Sequence, residues 1–368
     1  MAAHGGPGGD RWGWESFKIA TTFVGTVVGA GFASGQETMR FFAAFGAEGT
    51  WGIVVATLGF AGFGIAAMAL GRRLGTQSYR RVLDFGLGGA LGSLVDLVVA
   101  LFLFVSVAVM FSGSGAVVQE LGGYDPAVGV TAIAVTAVLT VLLRLRGITL
   151  ANGLIVPVMV AMLVGLALAG ITAPAGPAPR GWHASVPWPG AAAHWLLSAL
   201  LYVAYNLLLS VAVLVPLGRS AHHPRAIIWG GVVGALTLGL LTLAIKTSML
   251  AHLPEVAGTQ VPILYLAAQR LPRLRPGYAL VLWLEMYSTA ISSLYGLALR
   301  STERWRVDYP VAVLLAAGAA LWAGGLGFSP LVATFYPLFG YLSLVLLLGL
   351  GRGAFRSWRG GNQGGCRP

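Results

Sequence analysis

Several ionisable residues lie inside long apolar stretches of the sequence, where charge is costly and most often functional. They are Glu37, Arg40, Asp96, Lys246 and Glu285. Asp96 lies near the end of its stretch, where a solvated helix cap explains it. Lys246 also lies near an end, where its long side chain can snorkel to the membrane surface. Glu37 and Arg40 are three residues apart, which allows them to pair on the wall of an outer gate or vestibule. Glu285 lies deep in its stretch and is the candidate proton carrier, with a structural ion pair to Lys246 as the alternative.

A glycine-rich run, GTVVGAGFASGQE, extends from Gly25 to Glu37 within the first apolar stretch. Each glycine destabilises a helix by about 1 kcal/mol relative to alanine, so the run predicts a break near positions 29–31. Unwound backbone exposes amides and carbonyls that can bind a carboxylate and a cation. Gly29, Ala30 and Gly31 are therefore candidate substrate-binding residues. Close packing of helices through small residues is the alternative interpretation.

Four polar side chains cluster in the sixth apolar stretch, at Tyr202, Tyr205, Asn206 and Ser210. Asn206 and Ser210 are one helical turn apart, so both can contact a bound ligand. The two tyrosine hydroxyls need hydrogen-bonding partners wherever they are buried. All four are candidate substrate-binding residues, with an interhelical hydrogen bond of Asn206 as the alternative.

The composition shows what kind of fold must position these residues. Of the 368 residues, 57% are hydrophobic and only 10% are charged. Mean hydropathy is +0.80. A soluble protein carries about a quarter charged residues, so a soluble enzyme, a nucleic-acid-binding protein and a disordered scaffold are excluded despite the net charge of +11. The single cysteine, Cys366, supports neither a disulfide framework nor a cysteine metal site.

Ten apolar stretches predict ten crossings of a lipid bilayer, because about 20 apolar residues span the hydrocarbon core as a helix. They occupy 17–42, 49–71, 91–118, 126–143, 147–171, 191–217, 226–250, 277–300, 309–324 and 329–350. Only helices and closed barrels cross lipid, and these runs are too evenly apolar for barrel strands. The predicted fold class is all-α, a polytopic membrane bundle of about ten transmembrane helices, with the lipid bilayer as its surroundings.

The distribution of Lys and Arg predicts the orientation of this bundle. Most of the 23 basic residues fall in segments on one side, which the positive-inside rule assigns to the cytoplasm. Both termini are then cytoplasmic in the cell membrane. The predicted divisions are a cytoplasmic tail 1–16, a first five-helix repeat 17–171, an external Pro-rich loop 172–190, a second repeat 191–350 and a cytoplasmic tail 351–368. An odd number of crossings in each half places the two repeats in inverted orientations.

Three motifs carry a family resemblance that covers the whole chain. GTVVGAGFASGQE, the run from Tyr202 to Asn206 and the run from Glu285 to Gly296 resemble the YkvI-type membrane proteins. That family belongs to the amino acid–polyamine–organocation superfamily. The resemblance implies the LeuT-type fold, a five-plus-five inverted repeat with helices 1 and 6 broken around a central site. Segment 251–276 is predicted to hold a short surface or re-entrant helix, and the resemblance implies that it acts as an outer lid.

The same resemblance implies one sodium site. Sodium-coupled members of the fold carry a first-helix pattern similar to GNAVGLGN, which aligns with GTVVGAGF here. The implied ligands are the carbonyls of Gly25 and Val28 and the hydroxyls of Thr289, Ser292 and Ser293. Hard cations prefer such oxygen ligands, whereas packing of small residues is the alternative. Phe32 replaces the Asn that helps to bind a second sodium, so at most one sodium, and no other cofactor, is predicted.

These features together predict a secondary transporter of a small organic solute, an amino acid or related zwitterion, coupled to sodium or to protons. The alternative is a sensor with a transporter fold that binds such a solute without net transport. The sequence contains no HExxH or GxSxG motif, which argues against an enzyme, and no GxxxxGK[ST] motif, so transport is expected to be driven by a gradient. Solute identity, the coupling ion, the direction of flux and the oligomeric state stay open.

Overall fold

The computed structural model describes residues 9–143, 157–165, 189–253 and 255–363, and every regular element within these ranges is helical. The helices are α1 (Gly9–Val27), α2 (Ala30–Ser34), α3 (Gln36–Phe41), α4 (Glu48–Arg73), α5 (Tyr79–Leu87), α6 (Gly89–Gly122), α7 (Pro126–Leu142), α8 (157–165), α9 (Trp195–Ser220), α10 (Pro224–Leu250), α11 (Pro262–Arg270), α12 (Arg275–Trp305), α13 (Tyr309–Gly324) and α14 (Phe328–Gln363). The fold is the all-α bundle that the composition predicted.

The helices follow the predicted crossings in order. Five are long and apolar enough to span a membrane, namely α4, α6 from Leu97 onward, α9, α10 and α14, while α7 and α13 are shorter apolar helices. The first crossing corresponds to α1–α3 and the eighth to α12. The predicted fifth crossing, 147–171, lies largely outside the described residues, as does the predicted loop 172–190.

The first crossing is broken where its glycines predicted. Helix α1 ends at Val27, and α2 begins at Ala30 after Gly29, whose backbone is extended. Gly35 then adopts a left-handed conformation (φ 87°) between α2 and α3, which only glycine adopts without strain. This second interruption, which the sequence did not predict, turns α3 away from the axis of α2.

The sixth crossing is not broken, so the predicted break in helix 6 is wrong for this structure. Helix α9 runs without interruption from Trp195 to Ser220. It has no glycine near its middle, and its polar residues make hydrogen bonds along the helix. Asn206 Nδ2 donates to the Tyr202 carbonyl at 3.0 Å, and Ser210 Oγ donates to the Asn206 carbonyl at 2.8 Å. The middle of α9 is therefore a continuous helix, in which the carbonyls of Tyr202 and Asn206 also accept side-chain hydrogen bonds.

Helices α4 and α9 pack with their backbones in contact. A Cβ on Gly71 of α4 would lie 2.2 Å from the Val215 carbonyl oxygen, and one on Gly218 of α9 would lie 1.9 Å from that of Met68. Small residues permit this close approach in membrane proteins, where dispersion contacts hold helices together. The pair fixes the position of α9 beside the site.

The predicted short helix between the seventh and eighth crossings is confirmed. Helix α11 follows a 3₁₀ turn at Glu255–Gly258. It buries Ile263, Leu264 and Leu266 and contacts α2, α10 and α12. Segment 255–270 therefore covers the end of the broken first crossing that holds α2 and α3.

Candidate functional site

A cavity of about 540 Å³ lies beside the break between α1 and α2. Helices α6, α9, α12 and α14 complete its wall, and Pro157 of α8 also contributes. The predicted site residues on its lining are Gly25, Val28, Gly29, Ala30, Gly31, Glu37, Tyr205, Asn206, Glu285, Thr289, Ser292 and Ser293. Three others, Arg40, Tyr202 and Ser210, lie behind or outside this lining. The structure thus brings most of the predicted residues together, while their individual roles stay predictions.

Glu37 projects into the cavity, so its predicted pairing with Arg40 is wrong. Its side chain is only 4% exposed and lies close to the side chains of Tyr205 and Asn206. Gly31 makes room for it, because a Cβ at position 31 would lie 2.1 Å from Glu37 Oε1. The second oxygen, Oε2, is buried and has no hydrogen-bonding partner among the described residues.

Arg40 points away from the cavity toward the predicted outer end of the bundle. Its guanidinium donates to Ser329 Oγ at 3.2 Å and to the Pro189 carbonyl at 3.4 Å. It is half-buried there, so its charge is not fully removed from solvent. Of the predicted gate pair, only Arg40 lies on the vestibule side.

Hydrogen bonds between neutral groups close this outer end, and we call them the outer seal. Gln36 Nε2 donates to the Gln260 carbonyl at 2.8 Å, and Tyr278 Oη donates to the Ala33 carbonyl at 2.6 Å. Ser329 Oγ donates to Gln36 Oε1 at 3.3 Å. The seal joins α2 and α3 to α12, α14 and the segment before α11.

Toward the opposite end, part of the cavity lining is exposed. Thr21 of α1, Leu209 of α9 and Ser292 of α12 line the cavity and are exposed. This is the end nearer the N-terminus of α1, which the charge distribution predicts to be cytoplasmic. Among the described residues, hydrogen bonds therefore close the cavity at the α3 end, and part of its lining is exposed toward the α1 end.

Aromatic rings form one side of the site. The Phe41 ring lies 5.3 Å from that of Tyr202 and 5.4 Å from that of Tyr205, and Tyr205 lies 5.2 Å from Tyr336. Tyr205 and Tyr336 face the cavity, whereas Tyr202 packs behind them against Phe42. The structure thus places Tyr202 in the supporting layer and adds Tyr336, which the sequence analysis missed.

The five predicted sodium ligands all lie on the lining of the cavity. Thr289, Ser292 and Ser293 lie on α12, on the lining that also includes Gly25 and Val28. Ser293 Oγ donates to Ser106 Oγ of α6 at 3.3 Å. Ser106 also lines the cavity and was missed, because a lone serine in an apolar stretch gives no spacing signal. The hydroxyl-rich lining suits a hard monovalent cation.

Glu285 is buried (5% exposed) on the same lining, and its Oε2 atom has no hydrogen-bonding partner within the described part of the chain. Lys246 instead donates from Nζ to Thr50 Oγ1 at 2.6 Å. The alternative of a Glu285–Lys246 ion pair is therefore wrong. The side chain of Asp96 lies outside those that the structure describes.

The helical bundle, its broken first helix and the cavity at the break define a polytopic membrane protein with the LeuT-type fold. An inward-facing structure of Mhp1 superposes with a TM-score of 0.58 and 17% identity, covering 90% of this chain and 75% of Mhp1. MhsT in complex with L-phenylalanine superposes with a TM-score of 0.57 and 15% identity, covering 91% of this chain and 86% of MhsT. At these identities the likeness shows the fold alone. Mhp1 is described as a nucleobase-cation-symport-1 family transporter.

Sequence similarity places the chain in a family. The uncharacterized membrane protein YkvI of Bacillus subtilis (strain 168) is 31% identical over 338 residues, which cover 90% of this chain and 93% of YkvI. The chain belongs to the YkvI membrane protein family, as its three motifs predicted. No family model matches the chain.

Proposed function

We propose that this protein is a gradient-driven secondary transporter of a small zwitterionic solute such as an amino acid. The observation that carries the proposal is a central cavity that the outer seal closes at one end and whose lining is partly exposed toward the other. Alternating access requires such a site to be reached from one side at a time. The break between α1 and α2 supplies a hinge beside the cavity, at Val28 and Gly29.

The backbone at the break supports binding of a carboxylate. The amides of Gly29, Ala30 and Gly31 lie where the helix is interrupted, so they are available to an anionic group of the solute. Asn206 and Tyr205 of α9 face the same space. MhsT, which shares the fold, is described with L-phenylalanine bound, and this supports an amino acid as the first solute class to test.

Transport itself is tested in proteoliposomes that contain the purified protein. We expect uptake of a pooled set of labelled amino acids when a sodium or proton gradient is imposed, and no uptake above that of empty liposomes without one. A sensor with the same fold would bind amino acids in the same preparation but produce no flux. Binding without flux under either gradient would therefore contradict the proposal and favour the sensor.

Coupling to sodium gives a sharper expectation at Ser293. Ser293→Ala removes one of the five proposed oxygen ligands, so the sodium-dependent rise in melting temperature and the sodium dependence of uptake should both disappear. Ser301→Ala on the same helix is the matched control, because its hydroxyl only bonds back to the Leu297 carbonyl. Unchanged sodium dependence in Ser293→Ala would rule out this site. Proton coupling through Glu285 would then be tested with Glu285→Gln, which should make uptake insensitive to pH or restrict it to exchange.

A further inference from the structure

The cavity has an unusual balance of charge. Glu37 and Glu285 both line it, and among the described lining residues there is no Lys, Arg or His. Each glutamate has a buried oxygen for which the described ranges supply no hydrogen-bonding partner. Two acidic groups without a basic neighbour favour a ligand that carries positive charge, because an unpaired buried carboxylate is strongly destabilised.

Glu37 is the better placed of the two to contact a solute beside the helix break. Its carboxylate meets Gly31, the residue that also presents an amide at the break. The ring of Tyr336 converges on the same point, since a Cβ at position 31 would lie 2.9 Å from Tyr336 Cε2. Tyr205, whose ring lies 5.2 Å from that of Tyr336 and is tilted by 41° to it, also lies close to the Glu37 carboxylate. The Glu37 carboxylate thus lies near two aromatic side chains, with its Oε1 atom at Gly31 beside Tyr336.

This combination is the chemistry that recognises an organic ammonium group. A carboxylate supplies the counter-charge and a charge-assisted hydrogen bond, and the faces of nearby aromatic rings attract a cation. A sodium ion would instead require several oxygen ligands, and those lie on the α12 side at Thr289, Ser292 and Ser293. The two kinds of positive charge therefore have separate places in one cavity.

We propose that Glu37 binds the ammonium group of the transported solute, so that the solute must be an amine and a simple organic anion is excluded. The inference rests on the proposed function and deepens it by assigning the two ends of the solute. The carboxylate end lies at the amides of the break, and the ammonium end lies at Glu37 between Tyr205 and Tyr336. Glu37 is then a specificity-determining residue of the site rather than part of an outer gate.

The test compares three pools of probes on detergent-purified full-length protein: free amino acids, N-acetylated amino acids and amino acid amides. The acetylated pool lacks the ammonium group, and the amide pool lacks the carboxylate. Apparent affinities come from the rise in melting temperature with probe concentration. For wild type we expect stabilisation by the free and amide pools and none by the acetylated pool. For Glu37→Gln we expect both ammonium pools to bind about 10- to 100-fold more weakly, the loss typical of a hydrogen bond to a charged group.

Two further variants separate loss of binding from loss of structure. Glu48→Gln makes the same change at an exposed position of α4 outside the cavity, and its affinities should equal those of wild type. Glu37→Asp keeps the charge on a shorter side chain, so its affinities should fall between those of wild type and Glu37→Gln. The melting temperature without probe shows whether Glu37→Gln folds. If it does not fold, the affinity of Glu37→Asp, compared with that of wild type, tests the inference instead.

The outcomes distinguish this inference from the proposed function. Two results would overturn the inference without contradicting transport. In the first, free amino acids bind Glu37→Gln as tightly as wild type. In the second, acetylated probes bind wild type as tightly as free amino acids do. A third result would be that amides bind through Glu37 while free amino acids neither bind nor are transported. It would support the inference and contradict the proposal that the solute is a zwitterion. No stabilisation of wild type by any pool would overturn both.

Discussion

Alanine at position 31 is expected to weaken amino acid binding by about 10-fold or more, although it removes no functional group. The added Cβ would lie 2.1 Å from Glu37 Oε1 and 2.9 Å from Tyr336 Cε2, which is closer than non-bonded atoms approach. The Glu37 side chain is the more flexible neighbour, so it should move and displace its carboxylate from its position beside the two rings. Gly31→Ala would thus imitate loss of Glu37 with the charge still present.

Gly29→Ala provides the matched comparison two residues earlier. A Cβ at position 29 meets no atom within 4 Å, and the backbone there is extended, so alanine fits without strain. Binding of the free amino acid pool, measured by thermal shift, should therefore fall much less in Gly29→Ala than in Gly31→Ala. Equal losses in the two variants would mean that flexibility of the break, rather than space for Glu37, determines binding.

The second large effect is expected on stability, at the contact between α4 and α9. Gly71→Ala should lower the free energy of unfolding by about 1–3 kcal/mol, the usual cost of overpacking. The atom that its Cβ would meet, at 2.2 Å, is the Val215 carbonyl oxygen. Because that atom belongs to the backbone, relief requires the two helices to separate. The melting temperature in detergent, without solute, measures the effect.

Gly62→Ala on the same helix is the control for this variant. A Cβ at position 62 has no neighbour within 4 Å, so alanine there should be neutral or should stabilise α4 by up to about 1 kcal/mol, through its higher helix propensity. A Gly71→Ala protein that melts at or above the temperature of Gly62→Ala would show that the backbones of α4 and α9 are not in contact.

The local features of this fold could be predicted from the sequence, and the long-range ones could not. The break before Ala30 follows from the intrinsic cost of glycine in a helix, which needs no knowledge of neighbours. The expected break in α9 came from the family resemblance alone, and the sequence there contains no glycine to produce it. Where the two sources disagreed, the local composition was the better guide.

The direction of Glu37 shows why the site could be predicted only in part. Spacing along one helix placed Glu37 beside Arg40, but the left-handed turn at Gly35 and the space at Gly31 direct the carboxylate inward. The partners of Arg40, Ser329 and Pro189, are remote in the sequence, so no local pattern identifies them. Tyr336 was missed for the same reason, since it reaches the cavity from the last helix.

The neutral character of the outer seal determines which solution conditions can act on it. Salt screens attraction between charges over a Debye length of about 10 Å at 0.1 M, but it has little effect on hydrogen bonds between amides, hydroxyls and carbonyls. Gln36, Tyr278 and Ser329 close the seal without an ion pair across it in the described part of the chain. Ionic strength should therefore have little effect on these three hydrogen bonds, whereas the hydrogen bond that the charged Arg40 guanidinium donates to Ser329 is subject to screening. The charge that can act on this end is therefore that of Arg40, together with that of any solute or ion bound in the cavity.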